Sequence, residues 1–415
     1  MTAAGFRWNV FSSLPEGMTL RSRAEAALEG TNWDALLEYA SKLRDGTECK
    51  LLPDIGMGAN NMVRVIEFNY GKRWAARVLY DEEVAFLNFI RESSNVPVPM
   101  TYAHETADTV GVHAPFILME CVEGNVGTDI RAKDAFFDSI ADVHVELSTV
   151  LLPKIGCVVG KNEDGTYIQG PIWQLDAPPT TTIPGIGGPF DMAIEFFQAW
   201  SKNTPFGNGN HIPHLLAMGG LVAQMPASIE AFRAAIIELA GKISVCDKGS
   251  FPIWHNDCGN NNIIMDDNFR VLGVVDWEMA YAAPWEVFGD YPLFVGGIPR
   301  AMDAPWVWDE QGNPLDERSK LCAKHEKQYL AAVIRAEEKR GLTLENHMHL
   351  LSAALQDTKR HALAKAMWLF EGGKQGFYHL VTEELAQSLL KDHEVSDVKE
   401  DVTTASSSGT SPSTI

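Results

Sequence analysis

The hydrophobic pattern of the sequence changes near Gly124, and this change limits the folds open to the chain. Before it, residues 47–120 form short apolar runs separated by Gly and Asn turns, which predicts an antiparallel sheet with one helix over 81–94. After it, most segments repeat apolar residues at helical spacing. The exception, residues 254–280, predicts loop, strand, turn and strand. The chain is therefore expected to adopt an α+β fold with a small β lobe and a larger helical lobe.

These patterns divide the chain into four expected parts. Residues 22–46 predict two helices, the second beginning at Asn32 or Thr31 and ending near Gly46. The last residues are polar and lack aromatic side chains, which predicts disorder. The parts are a helical extension (1–46), an N-terminal lobe (47–120), a helical C-terminal lobe (121–394) and a disordered tail (395–415).

Charge and cysteine usage restrict the partners and the compartment. The chain has 34 Lys and Arg against 55 Asp and Glu, a formal net charge of −21. This balance argues against nucleic acid and anionic membranes as partners, and it permits a cationic small molecule without demanding one. Six scattered cysteines and the lack of a ~20-residue apolar run favour a reduced cytoplasmic setting. Arg7 and few early acids leave a mitochondrial alternative; oligomeric state is not predicted.

The loop "HNDCGNNN" matches a pattern that phosphoryl-transfer chemistry uses. His255, Asp257 and Asn262 have the spacing H-x-D-x-x-x-x-N. The Asp would orient an acceptor hydroxyl and take its proton, and the Asn would reach a Mg²⁺ on nucleotide phosphates, while the His would support the loop from beneath. A polar loop that matches by chance is the plain alternative.

A second acidic group follows at the expected separation. The apolar run "VLGVV" leads to Asp276, fourteen positions after Asn262, with Glu278 two residues further on. A strand here would place Asp276 at the edge of the same cleft, where a second metal-binding side chain is needed. Glu278 is expected to support this loop. A strand that merely ends in acidic turn residues is the competing interpretation.

The N-terminal lobe contains a glycine turn and a basic strand. Gly56 and Gly58 lack a third glycine, since Asn61 holds its place, and the turn leads into another strand rather than a helix. A strand–turn–strand over phosphates is a kinase arrangement, although an ordinary hairpin has the same pattern. Arg77 on the next strand is expected to hold phosphates, with Glu83 as its partner, although a surface ion pair of little energetic worth is the plain alternative.

Together these motifs resemble the aminoglycoside phosphotransferase and choline-kinase-like family, which has a protein-kinase-like two-lobe fold. The resemblance covers residues 47–380 and looks closest to a fungal branch of phosphotransferase-enzyme-family proteins. It implies ATP and Mg²⁺ as cofactors and transfer of the γ-phosphate to a hydroxyl group of a small molecule. It also implies nucleotide contacts from the glycine loop and the hinge "FILMECVEG", namely from Gly56, Gly58, Ala59, Asn60, Met119, Glu120 and Val122.

The sequence departs from the family pattern at two positions. Arg77 replaces a lysine, and Asn256 replaces the glycine usual between the catalytic His and Asp. Arginine keeps the charge and can bind phosphate bidentately. The alternative function is a non-catalytic kinase-like protein that binds nucleotide, although Asp257, Asn262 and Asp276 are all retained.

Overall fold

The structure is a computed structural model that describes most of the chain. The described residues are 11, 14–58, 61–78, 84–126, 134–172, 185–207, 222–303 and 307–391. Ala59, Asn60 and Glu83 lie outside them, as does the predicted tail 395–415. Among the described helices, none combines the length and apolar character needed to cross a membrane.

Two helices precede an antiparallel five-stranded sheet. Asn32 begins the second helix, and its side chain accepts a hydrogen bond from Ala35 N at 3.2 Å. That helix ends at Lys42, before Gly46, which instead takes a left-handed conformation in the following turn. The helices are α1 (Thr19–Gly30) and α2 (Trp33–Lys42); the strands are β1 (Cys49–Met57), β2 (Met62–Phe68), β3 (Arg73–Val78), β4 (Thr101–Glu105) and β5 (Phe116–Glu120).

The sheet order is β1-β2-β3-β5-β4, and helix α3 (Val84–Ser93) crosses between β3 and β4. Strand β4 was not predicted, because its sequence "TYAHE" lacks a run of apolar residues. The α+β two-lobe, protein-kinase-like fold predicted from the sequence is confirmed.

The C-terminal lobe is mainly helical. Its helices are α4 (Asp134–Thr149), α5 (Ala193–Asn203), a 3₁₀ turn (Val222–Gln224), α6 (Met225–Ile243), α7 (Trp285–Phe288), α8 (Glu317–Arg340), α9 (Leu351–Gln356), α10 (Thr358–Glu371) and α11 (378–391). Helical spacing of apolar residues runs from position 349 to position 370, and the structure divides this stretch into α9 and α10. Asp357 divides that stretch, because its side chain accepts from Arg360 N and caps α10.

Short strands alternate with these helices along the chain. They are β6 (Asn125–Val126), β7 (Leu151–Leu152), β8 (Cys157–Lys161), β9 (Tyr167–Gly170), β10 (Phe251–Trp254), β11 (Ile263–Met265), β12 (Val271–Val274) and β13 (Tyr281–Ala282). Strands β10, β11 and β12 flank the polar loop at 255–262 and the acidic segment at 276–278. The predicted order of loop, strand, turn and strand is confirmed there.

A partly buried glutamate joins two helices of the C-terminal lobe. Trp200 Nε1 of α5 donates to Glu371 Oε1 at the end of α10, at 2.7 Å. Burial raises the pKa of Glu371 to about 7, and the hydrogen bond from Trp200 offsets only part of that rise. The folded state therefore favours the protonated acid.

We expect Glu371→Gln to gain stability relative to the wild type as pH rises. The pKa of Glu371 in the folded state is about 7, above the ordinary value near 4.3. The protonated carboxyl therefore contributes its full stabilisation below that ordinary value, and this contribution is lost as the pH rises to about 7. The variant has no charge to bury and escapes this loss, up to about 3 kcal/mol. Urea denaturation at pH 5 and pH 8 measures the difference in the free energy of unfolding between variant and wild type, with Glu383→Gln at an exposed position as the control. A difference that does not change with pH would contradict this prediction.

Candidate active site

The glycine turn closes a hairpin at the edge of the cleft between the lobes. Strands β1 and β2 pair antiparallel up to Met57 and Met62, and Gly58 N donates to Asn61 O at 2.9 Å. Gly58 is not in a left-handed conformation, and a Cβ added there would lie 3.7 Å from its nearest neighbour, Asn61 O. Among the described residues, none of the neighbours therefore requires glycine at position 58.

Arg77 links the N-terminal sheet to the acidic segment of the other lobe. Its guanidinium Nη2 donates to Asp276 Oδ1 at 2.7 Å and to Glu278 Oε2 at 2.8 Å. Arg77 and Glu278 are buried, while the Asp276 side chain is about one-third exposed. The sequence predicted Glu83 as the partner of Arg77; that residue lies outside the described part of the chain. Within the described residues, Arg77 bonds to the expected metal-binding carboxylate, Asp276, and to Glu278.

Asn61 adds a second link between the lobes that the sequence analysis missed. Its Nδ2 donates to Glu278 Oε2 at 3.3 Å, so Glu278 accepts from both the glycine hairpin and Arg77. The only signal in the sequence was that Asn61 stands where a third glycine was expected. An asparagine at this position has a side-chain amide that can bond across the cleft, which a glycine lacks.

His255 supports the polar loop from inside the C-terminal lobe. It is buried, and its ring lies 4.5 Å from the ring of Trp277. Burial lowers the pKa of His255, so the ring is neutral, and its Nε2–H donates to Val275 O at 3.0 Å. This bond ties the loop to the residue that precedes Asp276.

Asp257 and Asn262 are held together within the loop. Asn262 Nδ2 donates to Asp257 Oδ2 at 2.8 Å and to Asp257 O at 2.9 Å. Val275 N donates to Asn262 O at 2.9 Å, which connects this pair to the acidic segment. Burial raises the pKa of Asp257, the hydrogen bond from Asn262 opposes that rise, and the charges of Asp276 and Glu278 add to it.

The donor set fits a hard divalent cation. Asp257, Asn262 and Asp276 offer carboxylate and amide oxygens, the ligands that Mg²⁺ prefers. Three carboxylates, those of Asp257, Asp276 and Glu278, share this part of the cleft with the guanidinium of Arg77. Across the described residues, no group of three His, Cys, Asp or Glu side chains forms a metal site by itself. Mg²⁺ characteristically completes its shell with phosphate oxygens and water.

The predicted hinge lies between β5 and the C-terminal lobe. Met119 is buried and pairs with Ala75 of β3, and Glu120 N donates to Met100 O at 2.7 Å. Val122 packs so closely on Gly273 that a Cβ added to Gly273 would lie 3.1 Å from Val122 Cγ2. The hinge thus rests directly on β12, the strand that leads to Asp276.

Two residues of the site have left-handed backbone conformations. Asn256 has φ 63° and Asp276 has φ 70°. Asn and Asp tolerate this region better than other non-glycine residues. The departure from glycine at position 256 is therefore compatible with the turn that directs Asp257 into the cleft.

The five-stranded sheet, the mainly helical C-terminal lobe and the cleft between them define a two-lobe protein of the protein-kinase-like type. The model of the phosphotransferase enzyme family, APH, matches residues 69–286, just over half of the chain. The chain belongs to this family. A search of curated proteins found no match.

Solved structures show more distant likenesses. A protein of Ralstonia eutropha JMP134, provisionally described as an aminoglycoside phosphotransferase, is 16% identical, with 83% of this chain and 99% of that chain covered and a TM-score of 0.45. A Thermobifida fusca YX-ER1 protein, provisionally described as a fructosamine-3-kinase, is 14% identical, with 85% and 98% covered and a TM-score of 0.45. A thermostable mutant of aminoglycoside phosphotransferase APH(4)-Ia, in a ternary complex with ADP and hygromycin B, is 15% identical, with 91% and 100% covered and a TM-score of 0.43.

We expect position 256 to accept glycine but not a β-branched residue. Asn256→Gly keeps the left-handed turn available, whereas Asn256→Val places a β-branched side chain at φ 63°, at a cost of about 1–3 kcal/mol. Urea denaturation of the two variants measures the difference. Equal stability of Val and Gly at this position would contradict the strained-turn interpretation.

Proposed function

We propose that this protein is an ATP- and Mg²⁺-dependent phosphotransferase that transfers the γ-phosphate to a hydroxyl group of a small molecule. The observation that carries the proposal is the meeting of Arg77 with Asp276 and Glu278, at 2.7 and 2.8 Å, beside the bonded pair Asp257–Asn262. A phosphoryl-transfer site needs a phosphate-binding cation, metal-binding oxygens and a group that orients the acceptor. Here all three kinds of group belong to one connected network.

The nucleotide would lie between the glycine hairpin and the hinge. Since no described neighbour requires glycine at position 58, the missing side chain there supports close approach of a ligand to the backbone. Glu120 N already donates to Met100 O, so its contribution to an adenine ring would be its carbonyl group. Gly56, Ala59 and Asn60 would complete the loop over the phosphates.

The reacting groups would be held by the polar loop and the acidic segment. Asn262 and Asp276 would hold Mg²⁺, which supplies charge neutralisation on the phosphates. Arg77 would bind the α- and β-phosphates from the roof of the cleft. Asp257 would accept a hydrogen bond from the acceptor hydroxyl and take its proton as the oxygen attacks. Catalysis would rest on positioning and electrostatics.

The acceptor is proposed only by class. The net charge of −21 suits a cationic small molecule such as an amino alcohol or amino sugar. The scattered, unpaired cysteines support a cytoplasmic location. Membership of the fungal branch stays a prediction.

We expect Asp257→Asn and Asp276→Asn to lose turnover in different ways. Asp257→Asn removes the proton acceptor and lowers kcat by about 10²–10⁴-fold while Mg-ATP still binds. Asp276→Asn retains an acceptor for Arg77 but weakens the metal site, so Mg-ATP affinity falls as well. ADP release across a panel of amino alcohols and sugars, with calorimetric Mg-ATP binding, measures both effects.

Glu163→Gln, at an exposed position in the turn between β8 and β9, is the charge-matched control and should behave as wild type. Full turnover in either active-site variant would refute the assigned roles. Mg-ATP binding by the wild type without ADP release from any acceptor would favour the non-catalytic alternative.

The pH dependence of turnover should follow Asp257. Because burial raises the pKa of this carboxyl, it becomes protonated at a higher pH than an ordinary Asp. We expect kcat/KM to fall with decreasing pH at a pH above the ordinary Asp pKa of about 4. Activity that stays constant down to pH ~4 would show that Asp257 is not the proton acceptor.

A further inference from the structure

Helices α1 and α2 lie outside the part of the chain matched by the family model, yet they pack on the N-terminal sheet. Helix α2 buries Leu36 and Ala40 in a cluster that includes Phe68 and Trp74, on one face of that sheet. Helix α1 belongs to a different and smaller cluster. The two helices therefore contact different regions of the N-terminal lobe.

The second cluster lies at the base of the glycine hairpin. Ala24 and Ala27 of α1 pack with Met57 and Met62, and all four residues are buried. Met57 ends β1, Met62 begins β2, and the two residues are paired across the hairpin. They are the last paired residues before the loop 58–61. Two small side chains of α1 therefore pack against the two methionines at the base of this loop.

Further contacts fix α1 and its connection to α2 in place. Trp33 Nε1 donates to Leu28 O at 3.1 Å, and the guanidinium of Arg64, on β2, lies 4.7 Å from the Trp33 ring centroid. Asn32 N donates to Val112 O at 2.8 Å, which attaches the connection to the loop before β5. The helix thus has a defined position relative to the strands that carry the glycine loop.

We propose that α1 is a positioning element for the nucleotide loop, acting through Ala24 and Ala27 on Met57 and Met62. The inference rests on the proposed nucleotide binding. The loop is held on its cleft side by the bond from Asn61 to Glu278 and at its base by α1. A larger side chain at position 27 would displace the hairpin, because a close-packed interface cannot absorb three added carbons without movement. The loop would then leave its place over the phosphates.

The test compares three alanine-to-leucine substitutions. Ala27→Leu enlarges the buried contact with the hairpin, Ala26→Leu adds the same atoms on the exposed face of α1, and Ala40→Leu overpacks the separate α2 cluster. We expect Ala27→Leu to weaken Mg-ATP binding about tenfold, and the other two to bind as wild type. If Ala27→Leu does not fold, Ala27→Val makes a smaller perturbation of the same contact.

Hydrogen exchange of the peptide covering 56–62, measured without nucleotide, gives an independent result. The amide of Gly58, which donates to Asn61 O, should exchange faster in Ala27→Leu than in the wild type. In Ala40→Leu it should exchange at the wild-type rate. Wild-type affinity and wild-type exchange in Ala27→Leu would overturn the inference, as would an equal loss of affinity in Ala40→Leu, which would indicate general destabilisation. If the wild type does not bind Mg-ATP, the proposed function fails, and the exchange data still decide whether α1 positions the loop.

Discussion

The contact of Arg77 with Asp276 and Glu278 is the interaction on which the rest of the site depends. A buried guanidinium is costly unless carboxylates compensate it, and removing one partner of such a pair leaves a charge without compensation. The strand β3 and the acidic segment are therefore held at a fixed distance across the cleft. Asn61 reaches the same Glu278, so the glycine hairpin is included in this link. One cluster of charges thus connects strand β3, the glycine hairpin and the acidic segment.

The floor of the cleft is stabilised from within the C-terminal lobe. Neutral, buried His255 donates to Val275 O, and Val275 N donates to Asn262 O. Both backbone groups of Val275 therefore bond to the polar loop and hold it to the acidic segment. The left-handed conformations at Asn256 and Asp276 direct the carboxylates of Asp257 and of Asp276 itself. Strained conformations of this kind persist only where surrounding contacts enforce them, and here those contacts are the apolar strands β10, β11 and β12.

Much of the fold followed from sequence patterns, and the failures have local causes. The three strands around the glycine turn and the long helices were predicted from regular apolar spacing. Strand β4 and the hairpin β8–β9 were not, because their residues are partly exposed and depend on neighbouring strands for pairing. Apolar spacing alone does not show the division between α9 and α10, because helical periodicity continues across Asp357 and only its capping bond reveals the break.

The sequence by itself determined the family, the two-lobe class and the order of the motifs, because these are carried by residue type and spacing along the chain. Only the tertiary structure decided which groups meet. It placed Arg77 on Asp276 and Glu278, and it brought Asn61 to Glu278 across 217 positions of sequence. It also placed α1 beneath the glycine hairpin. Such contacts depend on how two lobes and an extension pack together, and local periodicity contains no information about distances between segments that are remote in the chain.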